Sequence, residues 1–411
     1  MGVDGTSSAN FEWAVKLNRV GMQAIGLWPT DDRNVKRKFL GRLRTYMNII
    51  LIVLVATIPM IFSMIKDCGN LKLLVDQISF AVPTTISSLK FLIFSALLSM
   101  LDMVEDDWAS TKTDVERDVM IRRAQLARTV TVWCYVSVLF SGIFLVALPT
   151  FGVPNRYVPN GTNVKKLLPL PGVYFAVDVT VSPYFEIFYV LQSITLTVIL
   201  IGYTGVDNFF GILILHICGQ LENLRTRLAT IKHLENFDQT LKGIVEKHIR
   251  LIRAVDAIEN TFTVLLLAVL LNFGIFTCCY SLAAISVSEH SIPKRFHNRS
   301  RILHTALYCI AGQFLVNESE GMSEAAYEFE WTKLRPSKAR NLMLIMARAQ
   351  RPLYVTAGKI FPMTIATYCN VRPVFTAPLA HPPSFSPSIV VSDTKSECQL
   401  HVFSDNSVIT T

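Results

Sequence analysis

Long apolar runs alternate with polar, basic stretches along this chain, and the alternation predicts helices that cross a membrane. The apolar core of a bilayer requires about 20 residues per helix. The stretches that meet or approach this length are residues 45–65, 78–101, 129–151, 184–206, 262–287, 302–316 and 353–371, of which the last two are short. The pattern therefore predicts an all-α membrane protein with seven transmembrane helices.

The loops between these stretches carry very unequal numbers of lysine and arginine residues. Of the 39 such residues in the chain, 26 lie in residues 1–44, 102–128, 207–261 and 317–352, whereas the other three loops hold 9. Basic loops remain in the cytosol during insertion, so we predict an inverted topology with a cytosolic amino terminus. This orientation is the reverse of that of a G-protein-coupled receptor.

Composition narrows the function classes further. The chain has 411 residues, of which 51% are hydrophobic and 17% charged, so we expect an integral membrane protein. The net charge of +8 needs no nucleic-acid partner, because orientation and anionic membrane lipid account for basic inner loops. We expect no enzyme activity, cofactor or metal, because the spans contain no paired carboxylates and no cluster of metal ligands.

Two amphipathic regions on the predicted inner side extend the membrane helices. In the first, apolar residues at spacings of three and four predict a helical hairpin; its first stripe is Ile217, Leu221, Leu224, Leu228 and Ile231. In the second, an acidic stretch precedes a basic, apolar helix that ends at Pro352. Such faces need a neighbouring helix or subunit to cover them.

The predicted organisation is a cytosolic segment (1–44), spans one to four (45–206), a cytosolic helical hairpin (207–261), spans five and six (262–316), a cytosolic anchor region (317–352), a truncated seventh span (353–371) and a disordered tail (372–411).

Three stretches form a distinctive set of motifs. They are GVDNFFGILILHICGQLENL at 205–224, LYCIAGQFLVNES at 307–319 and LIMARAQRPLYVTAGKIFPM at 344–363. With these motifs the chain resembles the odour-tuning insect odorant receptors, from its amino terminus to about Tyr368. The resemblance implies a subunit of a ligand-gated, non-selective cation channel that forms a heterotetramer with the olfactory co-receptor. It also implies a location in the plasma membrane of olfactory sensory neuron dendrites.

The resemblance further implies an odorant pocket in the outer half of the bundle, a pore along the seventh span and subunit contacts through the inner helices. The pocket candidates are Phe80, Thr84, Ser87, Ser141, Phe144, Leu145, Phe188, Tyr189, Gln192 and Tyr308. The pore and gating candidates are Lys359, Phe361 and Pro362, and we expect Pro362 to kink the pore helix. The assembly candidates are His216, Gln220, Leu221, Leu224, Trp331, Leu344, Gln350 and Arg351. Asn160 lies in a glycosylation sequon on a predicted outer loop.

The chain departs from the family pattern after Tyr368. There, Cys369-Asn-Val-Arg-Pro and a tail rich in proline, serine and threonine replace the apolar end of the pore helix. This departure leaves open the alternative that the chain is a non-conducting splice variant of such a receptor. A further alternative to the channel subunit is a seven-span chemoreceptor coupled to G proteins.

Lys90 is a charged residue near the middle of the second span. A charge at that depth costs at least about 2.5 kcal/mol. It pairs with a carboxylate, lines a wet cavity, or extends its ammonium group towards the membrane surface. No acidic residue within a predicted span is an obvious partner.

Overall fold

A computed structural model describes residues 5–28, 35–110, 113–153, 167–174, 178–230, 237–286, 292–329 and 335–376. Across these residues the chain is predominantly helical, which confirms the predicted all-α fold. The helices are α1 (Gly5–Ala24), α2 (Val35–Ile52), α3 (Ile58–Lys66), α4 (Leu71–Ala109), α5 (Asp114–Thr150), α6 (Tyr184–Thr230), α7 (Phe237–Ser286), α8 (Ile292–Glu328), α9 (Pro336–Ala349) and α10 (Ile365–Thr376). A π-helical turn, Val53–Thr57, joins α2 to α3, and a short hairpin of β1 (Thr356–Ala357) and β2 (Phe361–Pro362) precedes α10.

Five helical segments among the described residues are long and apolar enough to cross a membrane. They are Phe39–Lys66, Leu73–Phe94, Asp114–Thr150, Tyr184–Thr230 and Phe237–Ile275, and they correspond to the first five predicted spans. The predicted sixth span, 302–316, lies within α8. At 1.5 Å per residue, α6 is about 70 Å long, roughly twice the thickness of the apolar bilayer core. Its inner half therefore has to pack outside the membrane.

α6 is the central helix of the bundle. It packs along α5 and α8 and also contacts α1, α4 and α7. Its inner half is buried on every side, as expected for an apolar helix surrounded by other helices. Side chains there that are at most 1% exposed include Phe209, Phe210, Ile214, Ile217, Cys218 and Leu221.

The amino-terminal helix α1 packs against α4, α5 and α6, a contact that the sequence did not predict. Val15 and Met22 are buried on the packed face of α1. Asn18 Nδ2 donates a hydrogen bond to the carbonyl oxygen of Gly205 at 3.0 Å. A Cβ atom at Gly205 would lie 2.3 Å from Met22 Sδ, so the absence of a side chain there lets α1 approach α6 closely.

The predicted seventh span is wrong in its first half. Residues 353–364 are not helical, because β1 and β2 pair in antiparallel register there. Gly358 and Lys359 form the turn between the strands, with φ angles of 64° and 59°. This turn is bound to α7, since Gly358 N donates to Thr263 O at 2.9 Å. A glycine favours the positive φ, and prolines at 352 and 362 disfavour a continuous helix.

Pro362 therefore lies on β2, before α10, and the expectation that it kinks the pore helix is wrong. α10 begins at Ile365 and continues to Thr376, beyond the predicted end of the span at residue 371. Residues 372–376 are thus helical rather than part of a disordered tail. The rest of the predicted tail, 377–411, lies outside the described residues.

Candidate functional site

α4 and α6 run parallel, and this arrangement sets the depth of each candidate side chain. Phe91 on α4 packs against Gly202 on α6, where a Cβ atom would lie only 2.2 Å from the phenyl ring. Further along both helices, Asp107 contacts His216 at 3.1 Å. From the first contact to the second, the residue numbers rise on both helices, so the two helices point the same way. Counting back at 1.5 Å per residue therefore places position 80 of α4 about level with position 192 of α6.

Gln192 is fully buried, and both groups of its amide are engaged. Its Oε1 accepts a hydrogen bond from Leu170 N at 2.8 Å, and its Nε2 donates to the Tyr174 hydroxyl at 2.8 Å. That hydroxyl in turn donates to Val55 O at 2.6 Å. The rings of Tyr174 and Phe188 lie 4.6 Å apart between centroids. These bonds join α6 to the π-helical turn through the residues at 167–174.

The segment at 167–174 packs into the bundle, and sequence reasoning missed it. It lies on the predicted outer side, in the loop before α6. Leu167, Leu168 and Leu170 are buried, and Val173 N donates to Pro59 O at 3.0 Å. Burial raises the pKa of Tyr174, so its hydroxyl keeps its proton at neutral pH. The run LLPLPGVY is unusually apolar for a loop, and this signal could have identified it.

The three pocket candidates on α4 face the bundle. Phe80 packs against the core, and Thr84 is buried with its hydroxyl donating to Phe80 O at 2.8 Å. Ser87 is 0% exposed, and its Oγ has no hydrogen-bond partner among the described residues. The Ser87 hydroxyl is therefore available to an oxygen-bearing ligand.

The candidates on α5 and α6 divide into two groups. Leu145 is buried, Phe188 is half-buried, and Tyr189 donates a hydrogen bond to Val146 O across the α5–α6 contact. Ser141 is half-buried, but Phe144 is 50% exposed on the surface of α5. An enclosed pocket would cover its ring, so we do not retain Phe144 among the pocket residues.

Tyr308 does not lie with the other pocket candidates. Its hydroxyl donates to the carboxylate of Asp207. Asp207 is about 22 Å further along α6 than Gln192 at 1.5 Å per residue. Tyr308 also packs against Phe210, with ring centroids 5.2 Å apart. It thus belongs to a second, deeper site.

Lys90 has a carboxylate partner, which is one of the alternatives left open by the sequence. Its Nζ forms an ion pair with Asp207 and lies 3.1 Å from the centroid of the Tyr203 ring. The Lys90 side chain is 0% exposed, so it does not extend to the membrane surface. His304 Nε2 contacts the second oxygen of Asp207 at 2.5 Å. Lys90, Tyr203, Asp207, His304 and Tyr308 are called the Asp207 cluster below.

The inner ends of the helices are joined by further ion pairs. Asp107 on α4 contacts His216 on α6 and accepts from Arg250 Nη2 on α7 at 2.5 Å. Burial disfavours the charged form of Asp107. The hydrogen bond from His216 and the neighbouring positive charges outweigh this effect and hold its pKa below the ordinary value. Asp107 is therefore ionised at neutral pH and connects three helices.

Four predicted assembly residues are buried within the single chain. They are His216, Gln220, Leu221 and Leu224, with exposed fractions of 8%, 3%, 0% and 2%. Gln220 Nε2, for example, contacts Met120 Sδ at 3.3 Å. This burial contradicts direct contact with a second subunit, because helices of the same chain already cover the stripe. Leu344, Gln350 and Arg351 are exposed, whereas Trp331 and Asn160 lie outside the described residues.

An open groove lies beside the junction of α8 and α9. Its volume is about 550 Å³, and its lining includes Glu320, Glu324, Tyr327 and Gln350. Tyr327 is 69% exposed, and Leu344 on α9 is 65% exposed. Of the exposed assembly candidates, Gln350 lines this groove.

These features define a multi-pass helical membrane protein whose central helices extend well past the bilayer. A family profile described as "7tm Odorant receptor" matches residues 70–372. The chain therefore belongs to the 7tm odorant receptor family, which confirms the resemblance found in its motifs.

Individual relatives agree with this assignment. Odorant receptor 10 of Aedes albopictus is 27% identical over 214 residues, which are 48% of this chain and 54% of that protein. Odorant receptor Or2 of Anopheles gambiae is 27% identical over 276 residues, 62% of this chain and 68% of that protein. The chain thus aligns with about half the length of the Aedes protein. The olfactory receptor OR5 of Machilis hrabei, solved in complex with eugenol, shares the fold with a TM-score of 0.76 at 14% identity, over 89% of this chain and 96% of that one.

Proposed function

We propose that this protein is the odour-tuning subunit of an odorant-gated, non-selective cation channel that it forms with the olfactory co-receptor. It detects volatile small molecules at the plasma membrane of olfactory sensory neuron dendrites. Family membership supports the receptor role. The observation that carries the ligand site is the enclosed cluster around Gln192, where α6 and the 167–174 segment meet.

The chemistry of this cluster suits a small, mostly apolar ligand. Aromatic and aliphatic side chains dominate it, and the Gln192 amide is already satisfied by the chain itself. Burying about 200–300 Å² of ligand at roughly 25 cal/mol/Å² yields a gross ~5–7 kcal/mol. Association entropy reduces this sum, so we expect micromolar or weaker affinity. The Machilis receptor binds eugenol in its solved structure, a ligand of this general kind.

The odorant opens the channel because it binds the open state more tightly than the closed state, and this difference in affinity sets how far the equilibrium shifts. In our proposal the pore is lined by α10, and the ligand shifts the position of that helix. Hydrophobic constrictions then close or open the pore by excluding or admitting water.

A second candidate function is that of a non-conducting variant, and the sequence after Tyr368 favours it. The described part of α10 has 12 residues, about 18 Å at 1.5 Å per residue, and the sequence that follows is rich in proline, serine and threonine instead of the apolar residues that a helix needs to span roughly 30 Å of bilayer core. Such a chain would bind odorants and assemble with the co-receptor without completing a pore of full length.

Whole-cell recording tests both functions. The chain would be expressed alone, with the co-receptor, and as a variant in which the residues after Tyr368 are replaced by a family-like apolar end. An odorant-evoked current that requires the co-receptor supports the channel subunit. Current only from the variant supports the non-conducting form. If all three forms reach the cell surface and none of them binds an odorant, the receptor proposal is contradicted.

A further inference from the structure

The Asp207 carboxylate receives contacts from side chains of two other helices. Lys90 on α4 and Tyr308 on α8 contact its Oδ1, and His304 on α8 contacts its Oδ2. The carboxylate is largely buried, with its side chain 12% exposed. A buried charge is costly unless it is paired and hydrogen-bonded. The contacts of this carboxylate therefore hold α4, α6 and α8 in one relative position.

The same face of α8 continues directly to the start of α10. His304, Tyr308 and Gly312 are four residues apart and therefore lie above one another on the helix. A Cβ atom at Gly312 would lie 2.0 Å from Met363 O, so α8 touches the chain entering α10 through backbone contact. One residue further, Gln313 Oε1 accepts a hydrogen bond from Ile365 N, the first residue of α10, at 3.4 Å.

We propose that Asp207 is a positioning residue for gating, which through Tyr308 and His304 fixes α8 and thereby the start of α10. The proposal rests on the function proposed above, in which α10 lines the pore. It adds the connection by which a change among α4, α6 and α8 reaches that helix.

In this proposal, Lys90 allows the Asp207 cluster to adopt a second arrangement. If α8 shifts and withdraws Tyr308 and His304, Asp207 still faces the buried Lys90 ammonium group and is not left as an isolated charge. Removing one member of a buried ion pair is strongly destabilising, whereas exchanging neutral or additional partners is less so. The pair on α4 and α6 thus acts as a constant counter-charge, and the bonds to α8 are the part that is made and broken.

Hydrogen–deuterium exchange on the purified full chain tests this connection without an odorant. Tyr308→Phe removes the hydroxyl that reaches Asp207 but keeps the ring that packs against Phe210. The matched control is Tyr135→Phe, which removes the hydroxyl of a half-buried side chain that donates to Asn18 Oδ1 at 2.9 Å, between α5 and α1.

We expect Tyr308→Phe to speed exchange of the backbone amides of residues 363–368 about fivefold or more, whereas the control leaves them unchanged. Asp207→Asn should have a larger effect at the same amides, if it folds. Faster exchange confined to the α6 residues around Asp207, with residues 363–368 unaffected by Tyr308→Phe, would overturn the proposal. Equal effects of both tyrosine variants at 363–368 would overturn it as well.

Current recordings separate this inference from the proposed function. In cells with the co-receptor, Tyr308→Phe should change the maximal odorant current at least about twofold at equal surface expression, and Tyr135→Phe should not. An unchanged maximal current for Tyr308→Phe would contradict a role in gating. If the unmodified chain gives no odorant current at all, the proposed function fails, and the exchange experiment still decides whether Asp207 controls the start of α10.

Discussion

The side-chain amide of Gln192 donates a hydrogen bond to the hydroxyl of Tyr174, 2.8 Å away, and this bond ties the 167–174 segment to α6. Because the same hydroxyl donates to Val55 O, one phenol connects the segment to two parts of the bundle. We expect this segment to cover the odorant site from the predicted outer side and to determine how readily a ligand leaves.

Tyr174→Phe should therefore weaken odorant potency. The substitution removes both hydrogen bonds of the hydroxyl and leaves Gln192 Nε2 without this acceptor. At roughly 1 kcal/mol for each of the two net hydrogen bonds, the half-maximal odorant concentration should rise about 10- to 30-fold, with the maximal current unchanged. Concentration–response curves in cells with the co-receptor measure both quantities.

The matched control is Tyr184→Phe, at the start of α6, where the side chain is 48% exposed. It should leave potency unchanged. Equal potency of Tyr174→Phe and the unmodified chain would mean that the 167–174 segment does not bound the odorant site.

Two adjacent arginines that share one carboxylate should differ strongly in their effect on stability. Arg123 binds Glu222 at 2.7 Å and also contacts Glu318, with its side chain 15% exposed. Arg122 contacts the same Glu222 but is 65% exposed. Arg123→Met should lower the free energy of unfolding by about 2–3 kcal/mol, because Glu222 then keeps only the exposed Arg122 and Glu318 only Arg225, at 3.7 Å. Arg122→Met should cost about 0–1 kcal/mol.

Thermal unfolding of the detergent-purified chain measures the unfolding temperature of each variant and so ranks the two by stability. The expected order is a large decrease in the unfolding temperature for Arg123→Met and little change for Arg122→Met. Similar decreases for both would show that burial does not govern this ion-pair network.

Assembly with the co-receptor should depend on the exposed face of α9. Leu344→Glu replaces an apolar side chain of α9 that is 65% exposed with a charged one. We expect co-purification of the co-receptor to fall about tenfold or more, because an unpaired charge in an interface costs more than 1.4 kcal/mol. Val115→Glu is the control, since Val115 is 61% exposed at the start of α5. Equal recovery from both variants would place the interface elsewhere.

Glycosylation reports the predicted orientation of the chain. Asn160 lies on a predicted outer loop and should carry a glycan, whereas the sequon at Asn317 lies on a predicted inner segment and should not. Asn160→Gln should abolish the mass shift on glycosidase treatment, and Asn317→Gln should leave it intact. A shift that depends on Asn317 would reverse the proposed topology.

Apolar patterning predicted the membrane helices well because long apolar runs have few alternatives to a spanning helix. It failed at residues 353–364, where tertiary contacts determine the backbone. Thr263 on α7 binds the turn there, and its Oγ1 accepts from Lys359 N at 2.9 Å. The prolines on either side and Gly358 were the local signals against a helix.

The polar partners were harder to predict. Asp207 lies one residue past the predicted end of the fourth span, and its partner Lys90 is far away in sequence. Similarly, the stripe with Leu221 and Leu224 correctly indicated a buried helix face, but periodicity does not distinguish burial within one chain from burial between subunits. Only the arrangement of α5, α6 and α8 separates these cases.

The central claim is that this chain contributes to an odorant-gated pore rather than signalling through G proteins. Excised inside-out patches from cells expressing the chain with the co-receptor test it most directly, with odorant applied in nucleotide-free solution. We predict an odorant-evoked cation current that persists without GTP or ATP. A current that disappears on excision and returns only when GTP is supplied would contradict the account.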